Sequence, residues 1–251
     1  MVSKRRGFRI GTDRVRRGES REIRLELSSS YTGDTISLPV HVLRGKKPGP
    51  VVVVTAAVHG DEINGTGILH ELVFDSPPKL VAGTLVLVPV VNVFGFETQS
   101  RYMPDRRDLN RFFPGSASGS LTSRVAHTLF REVIGQADFG IDLHTAAEGR
   151  TNFPNVRGDL RVPGVRRLAR AFGCELIVHG GGPSGSLRRE AVRAGCPTIL
   201  LEAGEPSRME PAVQQVGVWG IRNVLAELGL VRGEAQKPAY QVLVRKSTWV
   251  R

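Results

Sequence analysis

The chain has 251 residues, of which 35 are basic and 24 acidic, so its formal net charge is +11. Its composition, 40% hydrophobic and 24% charged, is typical of a folded globular protein and excludes wholesale disorder. The two cysteines, Cys174 and Cys196, are too few to staple a chain of this length, which excludes a disulfide-dense secreted scaffold. We expect both cysteines to be reduced core residues.

Neither a membrane nor a nucleic acid is predicted as a partner. The longest stretch without a charge, 80–96, is interrupted by glycine, proline and asparagine, whereas a spanning helix needs about 20 mostly apolar residues. The basic N-terminus is not followed by an apolar run, so we expect a soluble cytoplasmic protein. The arginines are scattered, as in the pair Arg188–Arg189, and no nucleic-acid motif accompanies them. They indicate a solvated surface that would also attract small anions.

The predicted strands and helices alternate along most of the chain. Strands are predicted at Glu22–Leu27, Ile36–Leu43, Val51–Val58, Thr84–Val91, Phe139–Leu143, Leu176–Val178, Thr198–Leu201 and Tyr240–Arg245, with a turn at Tyr31–Asp34 between the first two. Helices are predicted at Glu62–Phe74, Leu121–Ile134, Val165–Phe172, Leu187–Ala194 and Val213–Leu228. This pattern predicts an α/β fold with a mixed, largely parallel central sheet flanked by helices. The valine run from Val51 predicts a central strand covered on both faces.

Three candidate metal ligands follow two of these strands. His59 and Glu62 belong to His-Gly-Asp-Glu, directly after the valine strand, and His144 belongs to Asp-Leu-His-Thr at the end of another strand. Open α/β sheets place their sites at the carboxyl ends of strands, and two imidazoles with one carboxylate suit catalytic zinc. A histidine near a glutamate is also common on protein surfaces, so a surface pair explains the first motif as well. The other histidines are interpreted as structural: His41, His70, His127 and His179.

A long segment, 92–118, is rich in arginine, aspartate, proline and glycine. Irregular segments of this length in compact domains are often functional. Arginine forks bind carboxylates well and an asparagine amide adds directional hydrogen bonds, so the loop Arg101–Gly115 is a candidate for binding an anion. A solvated basic loop explains the composition equally well, and we expect Arg106 and Arg107 to be solvated.

Glu202 directly follows the apolar strand Thr198–Leu201 and therefore lies at another strand's carboxyl end. It is predicted to face the same cleft as the candidate ligands and to act as a general base on water. Glu205 follows closely and competes for this role on composition alone.

Four segments, His-Gly-Asp-Glu, Asp-Leu-Asn-Arg, Asp-Leu-His-Thr and Leu-Glu-Ala-Gly, in this order and spacing, resemble the succinylglutamate desuccinylase/aspartoacylase family. That family belongs to the zinc carboxypeptidase-like hydrolases, and the similarity extends from about Val40 to Leu228. It implies a zinc carboxypeptidase-like catalytic domain over residues 1–230, with N-terminal strands at 20–45, and one zinc ion per chain. Residues 231–251 are expected to form a C-terminal strand segment. Many relatives carry a small β-rich domain after a segment like Trp249-Val250, so this chain is either a short member or lacks that domain.

The resemblance also implies a ligand set. His59, Glu62 and His144 match the family's zinc ligands. Asp108 would orient the imidazole of His59, a usual role beside a zinc-bound histidine. Asp142 would do the same for His144, although two residues along one strand is an awkward reach for such a bond.

In the same way, the resemblance assigns the catalytic and substrate-binding residues. Glu202 matches the general base, and Arg101 matches the arginine that polarises the scissile carbonyl. Asn110 and Arg111 match the pair that anchors a substrate carboxylate. The implied reaction is hydrolysis of the amide bond of a small carboxylated N-acyl amino acid by metal-activated water. A zinc carboxypeptidase acting on short peptides, or a non-catalytic binding protein on the same scaffold, are the alternatives. The acyl group, the amino acid and the oligomeric state stay open.

Overall fold

The computed structural model describes residues 8–29 and 33–246. The predicted turn residues Tyr31 and Thr32 and the Trp249-Val250 segment lie outside the described residues. The strands are β1 (Phe8–Ile10), β2 (Asp13–Val15), β3 (Ser20–Ser29), β4 (Thr35–Arg44), β5 (Lys47–Ala56), β6 (Ala82–Val88), β7 (Phe139–His144), β8 (Asn152–Gly158), β9 (Leu176–His179), β10 (Thr198–Gly204) and β11 (Val242–Val244). The α-helices are α1 (Asn64–His70), α2 (Val93–Glu97), α3 (Leu121–Glu132), α4 (Pro163–Phe172), α5 (Leu187–Arg193) and α6 (Pro211–Glu227). A π-helical turn, Glu71–Asp75, continues α1, and 3₁₀ turns span Leu109–Arg111 and Ile134–Gln136.

In the described part of the chain, nine strands form one sheet, in the order β11-β9-β8-β10-β7-β5-β6-β4-β3. The pairs β3–β4, β4–β6 and β8–β10 are antiparallel, and the other neighbours are parallel. The predicted mixed, largely parallel sheet is therefore confirmed. Its centre, β10-β7-β5-β6, is entirely parallel, so four carboxyl ends meet at one edge of the sheet.

The central strand β5 is buried on both faces, as its valine run predicts. Val52 and Val54 belong to the core cluster that contains α1, α4 and α6, whereas Val53 belongs to the cluster that contains α3 and α5. Because successive side chains of a strand point to opposite faces, the helices form one layer on each side of the sheet.

Both cysteines are free and buried, and burial raises the pKa of each thiol to about 12.

Three parts of the chain differ from the sequence-based expectation. Strands β1 and β2 pair with each other in a separate two-stranded sheet that was not predicted. Strand β8 was not predicted, because its sequence, Asn-Phe-Pro-Asn-Val-Arg-Gly, combines a proline with polar residues that disfavour strands. The segment 92–118 was expected to be irregular but contains helix α2 and one 3₁₀ turn.

None of the described helices is both long enough and apolar enough to cross a membrane.

Helix α6 approaches α4 closely through Gly220, because a Cβ atom at that position would overlap the ring of Phe172. We expect Gly220→Leu to lower the free energy of unfolding by about 1–3 kcal/mol, since extra methyl groups in a packed core force strain. Urea unfolding measures this change. Gln215→Leu, on the exposed side of the same helix, is the matched control. Equal stability of the two variants would contradict the close approach.

Candidate metal centre and active site

The candidate site lies at the carboxyl ends of three adjacent parallel strands, β10, β7 and β5. His144 is the last residue of β7 and lies level with Glu202 of the neighbouring strand β10. His59 and Glu62 lie in the connection from β5 to α1, and the amide of Glu62 donates to the carbonyl of His59 at 3.1 Å. The parallel pairing therefore brings together polar groups that are far apart in the sequence.

Glu62 joins the two histidines. Its Oε1 lies 2.6 Å from Nδ1 of His59, and its Oε2 lies 2.8 Å from Nδ1 of His144. The amide of Thr145 also donates to Oε2, at 3.0 Å. All three side chains are buried, and one potential ligand atom from each lies within 4.8 Å of the others.

A carboxylate contacts the far nitrogen of each imidazole. Nε2 of His59 lies 3.1 Å from Asp108, and Nε2 of His144 lies 2.9 Å from Asp142. Residues two apart on a strand share a face, so the side chain of Asp142 reaches the imidazole of His144 along β7. The distance, expected from the sequence to be awkward, is therefore bridged. Thr55 donates to the other oxygen of Asp142 at 2.7 Å and holds that carboxylate in place. Such contacts orient the near nitrogens, both Nδ1, towards the centre of the cluster.

Gly60 allows the turn that carries His59 to lie against the neighbouring loop. A Cβ atom at Gly60 would overlap the backbone of Gly95 in helix α2. Ala57, just after β5, has a φ of 48°, in the left-handed region. The chain thus bends sharply where the strand ends, and only glycine fits the contact that follows.

The charges in this cluster depend on one another. Burial alone would raise the pKa of Glu62, but His59 and His144 outweigh that effect and hold the pKa well below its usual value. Burial alone would lower the pKa of His144, but Asp142 and Glu62 raise it well above its usual value. The carboxylates of Glu62, Asp108 and Asp142 give this cluster an excess of negative charge. Positive charge at its centre, carried either by protons on the histidines or by a metal ion, is therefore stabilised.

The long segment after β6 contributes Arg101 and the 3₁₀ turn to the same place. Nη1 of Arg101 donates to Oε1 of Glu62 at 3.2 Å, and Nη2 donates to Asp108 at 3.1 Å. The side-chain oxygen of Asn110 accepts from the amide of Leu187 at 2.9 Å, which ties the turn to α5. Arg111 extends from this turn with 46% of its side chain exposed.

The two glutamates proposed from sequence as the base differ in position. Glu202 lines the cavity beside His59, Glu62 and His144, with 16% of its side chain exposed, and burial raises its pKa. Glu205 is 38% exposed, pairs with Arg208 at 3.2 Å and does not line that cavity. The geometry therefore favours Glu202.

The cavity has a volume of about 410 Å³ and is strongly cationic. Its lining includes five arginines, Arg101, Arg111, Arg150, Arg157 and Arg188. The exposed Arg106 and Arg107 do not contribute to it, nor do the other four histidines.

Arg188 was not recognised from the sequence as a site residue. It was interpreted as part of a solvated arginine pair, but it is only 8% exposed, and its Nε and Nη1 atoms are buried without a hydrogen-bond partner. Burial lowers its pKa to about 10. Its neighbour Arg189 is exposed, because consecutive residues of a helix point in different directions. The two arginines differ only in the helix face on which they lie. The sequence pattern of α5 does not show which of these faces is buried.

Residues of β8 were also not predicted from the sequence to belong to the site. Asn152 donates to Oε2 of Glu202 at 2.7 Å, and Arg157 lies 3.6 Å from Oε1. Pro154, which argues against a central strand, was the misleading signal, because proline is tolerated at irregular positions of a strand.

Comparison with known proteins identifies the family of the chain. A family model of the succinylglutamate desuccinylase/aspartoacylase catalytic domain matches residues 48–228, starting slightly later than the predicted Val40. The N-alpha-acetyl-L-2,4-diaminobutyric acid deacetylase of Halomonas elongata is 29% identical over 215 residues, which cover 81% of this chain. The chain spans 61% of the length of that relative.

Solved structures show the same fold. The succinylglutamate desuccinylase/aspartoacylase from Rhodobacter sphaeroides has a TM-score of 0.79 and 28% identity, and the match covers 95% of this chain and 77% of that one. The product-bound ectoine utilization protein EutE (DoeB) from Ruegeria pomeroyi has a TM-score of 0.79 and 26% identity, with 90% and 72% covered. Because the family model matches most of the chain, this protein belongs to the succinylglutamate desuccinylase/aspartoacylase family.

Proposed function

We propose that the chain is a zinc-dependent hydrolase that cleaves the amide bond of small, carboxylated N-acyl amino acids. One observation carries the proposal: a buried two-histidine, one-carboxylate cluster, a partly buried glutamate and several arginines line a single cavity. The chain belongs to a family that contains deacylases and is similar to a deacetylase of an acetylated amino acid. Both findings support amide hydrolysis.

The residues present fit a zinc ion. His59, Glu62 and His144 offer the nitrogen and oxygen donors of catalytic zinc sites, and each histidine's other nitrogen is held by a carboxylate. When bound, zinc would act as a Lewis acid on the carbonyl and lower the pKa of water. The potential ligand atoms of the three side chains lie within 4.8 Å of one another, so a single ion could contact all three.

Glu202 is suited to move the protons. Its raised pKa makes it a better proton acceptor than an exposed carboxylate, and it lies on the strand next to His144. It would take a proton from the attacking water and return it to the departing amine. Arg101 lies within hydrogen-bond distance of Glu62 and would stabilise the negative charge that develops on the carbonyl oxygen.

The arginines indicate the class of substrate. Asn110 and Arg111 would hold a carboxylate at the mouth of the cavity, while the unpartnered Arg188 offers a second buried cation. A buried guanidinium without a partner is costly, and a substrate carboxylate would satisfy it. We therefore favour substrates with a second carboxylate, on the acyl group or the amino acid. An ammonium group, such as the free amine of a diaminobutyrate, would be repelled here.

The first test concerns the metal. The protein is expected to bind about one zinc ion per chain and to hydrolyse an N-succinyl or N-acetyl amino acid only when zinc is present. His144→Ala should lose both zinc and hydrolysis, measured by elemental analysis and amine release, with circular dichroism to verify folding. The control, His70→Ala, removes a histidine whose side chain is 61% exposed and should retain both. Stoichiometric zinc in folded His144→Ala would rule out this ligand set.

The second test concerns the base. Glu202→Gln should retain zinc and lower kcat by roughly 10²–10⁴-fold, the usual contribution of general-base catalysis. Glu205→Gln is the matched control, since that side chain does not line the cavity, and its kcat should be close to that of the wild type. A larger loss in Glu205→Gln than in Glu202→Gln would show that the base is assigned wrongly.

The third test separates substrate recognition from a merely basic surface. Arg111→Ala should weaken transition-state binding of a carboxylated substrate by about 2–5 kcal/mol, seen in kcat/KM. The loss should be much smaller for the neutral amide analogue, which lacks the charge that Arg111 contacts. Arg106→Ala, at an exposed position outside the cavity, serves as the control. Equal losses in both variants on both substrates would mean that the loop acts only through its overall charge.

A further inference from the structure

We infer that Asn152 is a positioning residue for the general base, holding one oxygen of Glu202 so that the other is presented to the reacting water. The inference rests on the proposed function, because it concerns the residue assigned there as the base. It also gives a role to β8, the strand of the nine-stranded sheet that was not predicted from the sequence.

Strand β8 contacts Glu202 in three ways. Asn152 donates its side-chain amide to Oε2 at 2.7 Å, and Nη1 of Arg157 lies 3.6 Å from Oε1. Asn155, which lies directly opposite Glu202 in the sheet, donates to its backbone carbonyl at 3.3 Å. Of the two carboxylate oxygens, Oε2 therefore has the short hydrogen bond and Oε1 has only the longer ion pair.

An irregularity in the sheet brings Asn152 to this position. Arg157 and Asn155 pair with Leu200 and Glu202, but the register shifts before Asn152 pairs with Gly204. In a regular strand, Asn152 would point to the face opposite Asn155, because the two are an odd number of residues apart. A bulge adds one residue to β8 and reverses this alternation, so the side chain of Asn152 reaches the cavity. Bulges commonly redirect side chains next to active sites.

The hydrogen bond has a direct consequence for the chemistry. An unheld carboxylate rotates about its terminal bond, and either oxygen would face the substrate only part of the time. The amide of Asn152 fixes the plane of the carboxylate and occupies Oε2, leaving Oε1 to accept the proton. Misplacement of a reacting group by even about 1 Å can cost roughly 10²-fold in rate.

A purely structural role does not explain this contact well. Asn152 is only partly buried, and both it and the carboxylate line a cavity open to solvent. A hydrogen bond in such a place contributes little to folding, so variants at Asn152 are expected to fold. Neighbouring Thr151 is exposed and does not line the cavity, which makes Thr151→Ala a matched control.

The experiment is a double-mutant cycle in the zinc-loaded full chain. Asn152→Ala should lower kcat by about 10- to 100-fold, with KM and zinc content nearly unchanged, while Thr151→Ala matches the wild type. In the Glu202→Gln background, Asn152→Ala should cause no further loss, because the group that it positions is already absent. A crystal structure of Asn152→Ala should show the Glu202 carboxylate rotated from its present orientation.

The other outcomes would overturn the inference in distinguishable ways. An equal loss of kcat from Asn152→Ala in both backgrounds would show that Asn152 acts independently of Glu202, while leaving the base assignment intact. A change mainly in KM would make Asn152 a substrate contact instead. An unmoved Glu202 carboxylate in the crystal structure would remove the physical basis. A wild-type kcat in Glu202→Gln would overturn the base assignment and this inference together.

Discussion

The carboxylate of Glu62 is the group on which the rest of the site depends. It is buried, and each of its oxygens contacts a different histidine. A buried carboxylate is costly unless positive charge and hydrogen bonds compensate it, so the groups around it are constrained. His59, His144 and Arg101 supply that compensation, and two further carboxylates in turn hold the histidines. One potential ligand atom each from His59, Glu62 and His144 lies within 4.8 Å of the others, which makes this cluster a candidate metal site.

The sheet explains how this cluster forms from distant parts of the chain. Glu62 and His144 are 82 positions apart, yet the connection after β5 and the end of β7 are adjacent because the two strands are parallel neighbours. Strand β10 adds Glu202 by the same rule, level with His144. The antiparallel strand β8 then closes the side of the cavity and contacts the carboxylate of Glu202. The parallel strands and the connection after β5 thus bring His59, Glu62, His144 and Glu202 together, and the antiparallel strand contributes Asn152, which donates to Glu202.

Positive charge acts both over the whole surface of this protein and locally inside the cavity. The net charge of +11 produces a broad field that would attract anions, and salt would weaken it. Inside the cavity, Arg111 is partly exposed, whereas Arg188 is buried and lacks a partner at two of its nitrogens. A buried, unpaired cation is screened far less than a surface charge, so under the proposed function Arg188 would discriminate between ligands as well as attract them. Electrostatic selection of substrates would therefore occur mainly in the cavity.

The sequence alone determined the α/β class, most of the strands and helices, the family and seven of the residues that line the cavity, but not Asn152, Arg157 or Arg188. These features depend on local properties, such as the valine run of β5, or on short motifs whose residues remain adjacent after folding. Only the tertiary structure decided that β8 is a strand, because its polar, proline-containing sequence pairs with β10 through a bulge. It also decided that Asp142 reaches His144 and that Arg188, unlike Arg189, is buried. Each of these depends on partners distant in the chain, whose positions no local pattern specifies.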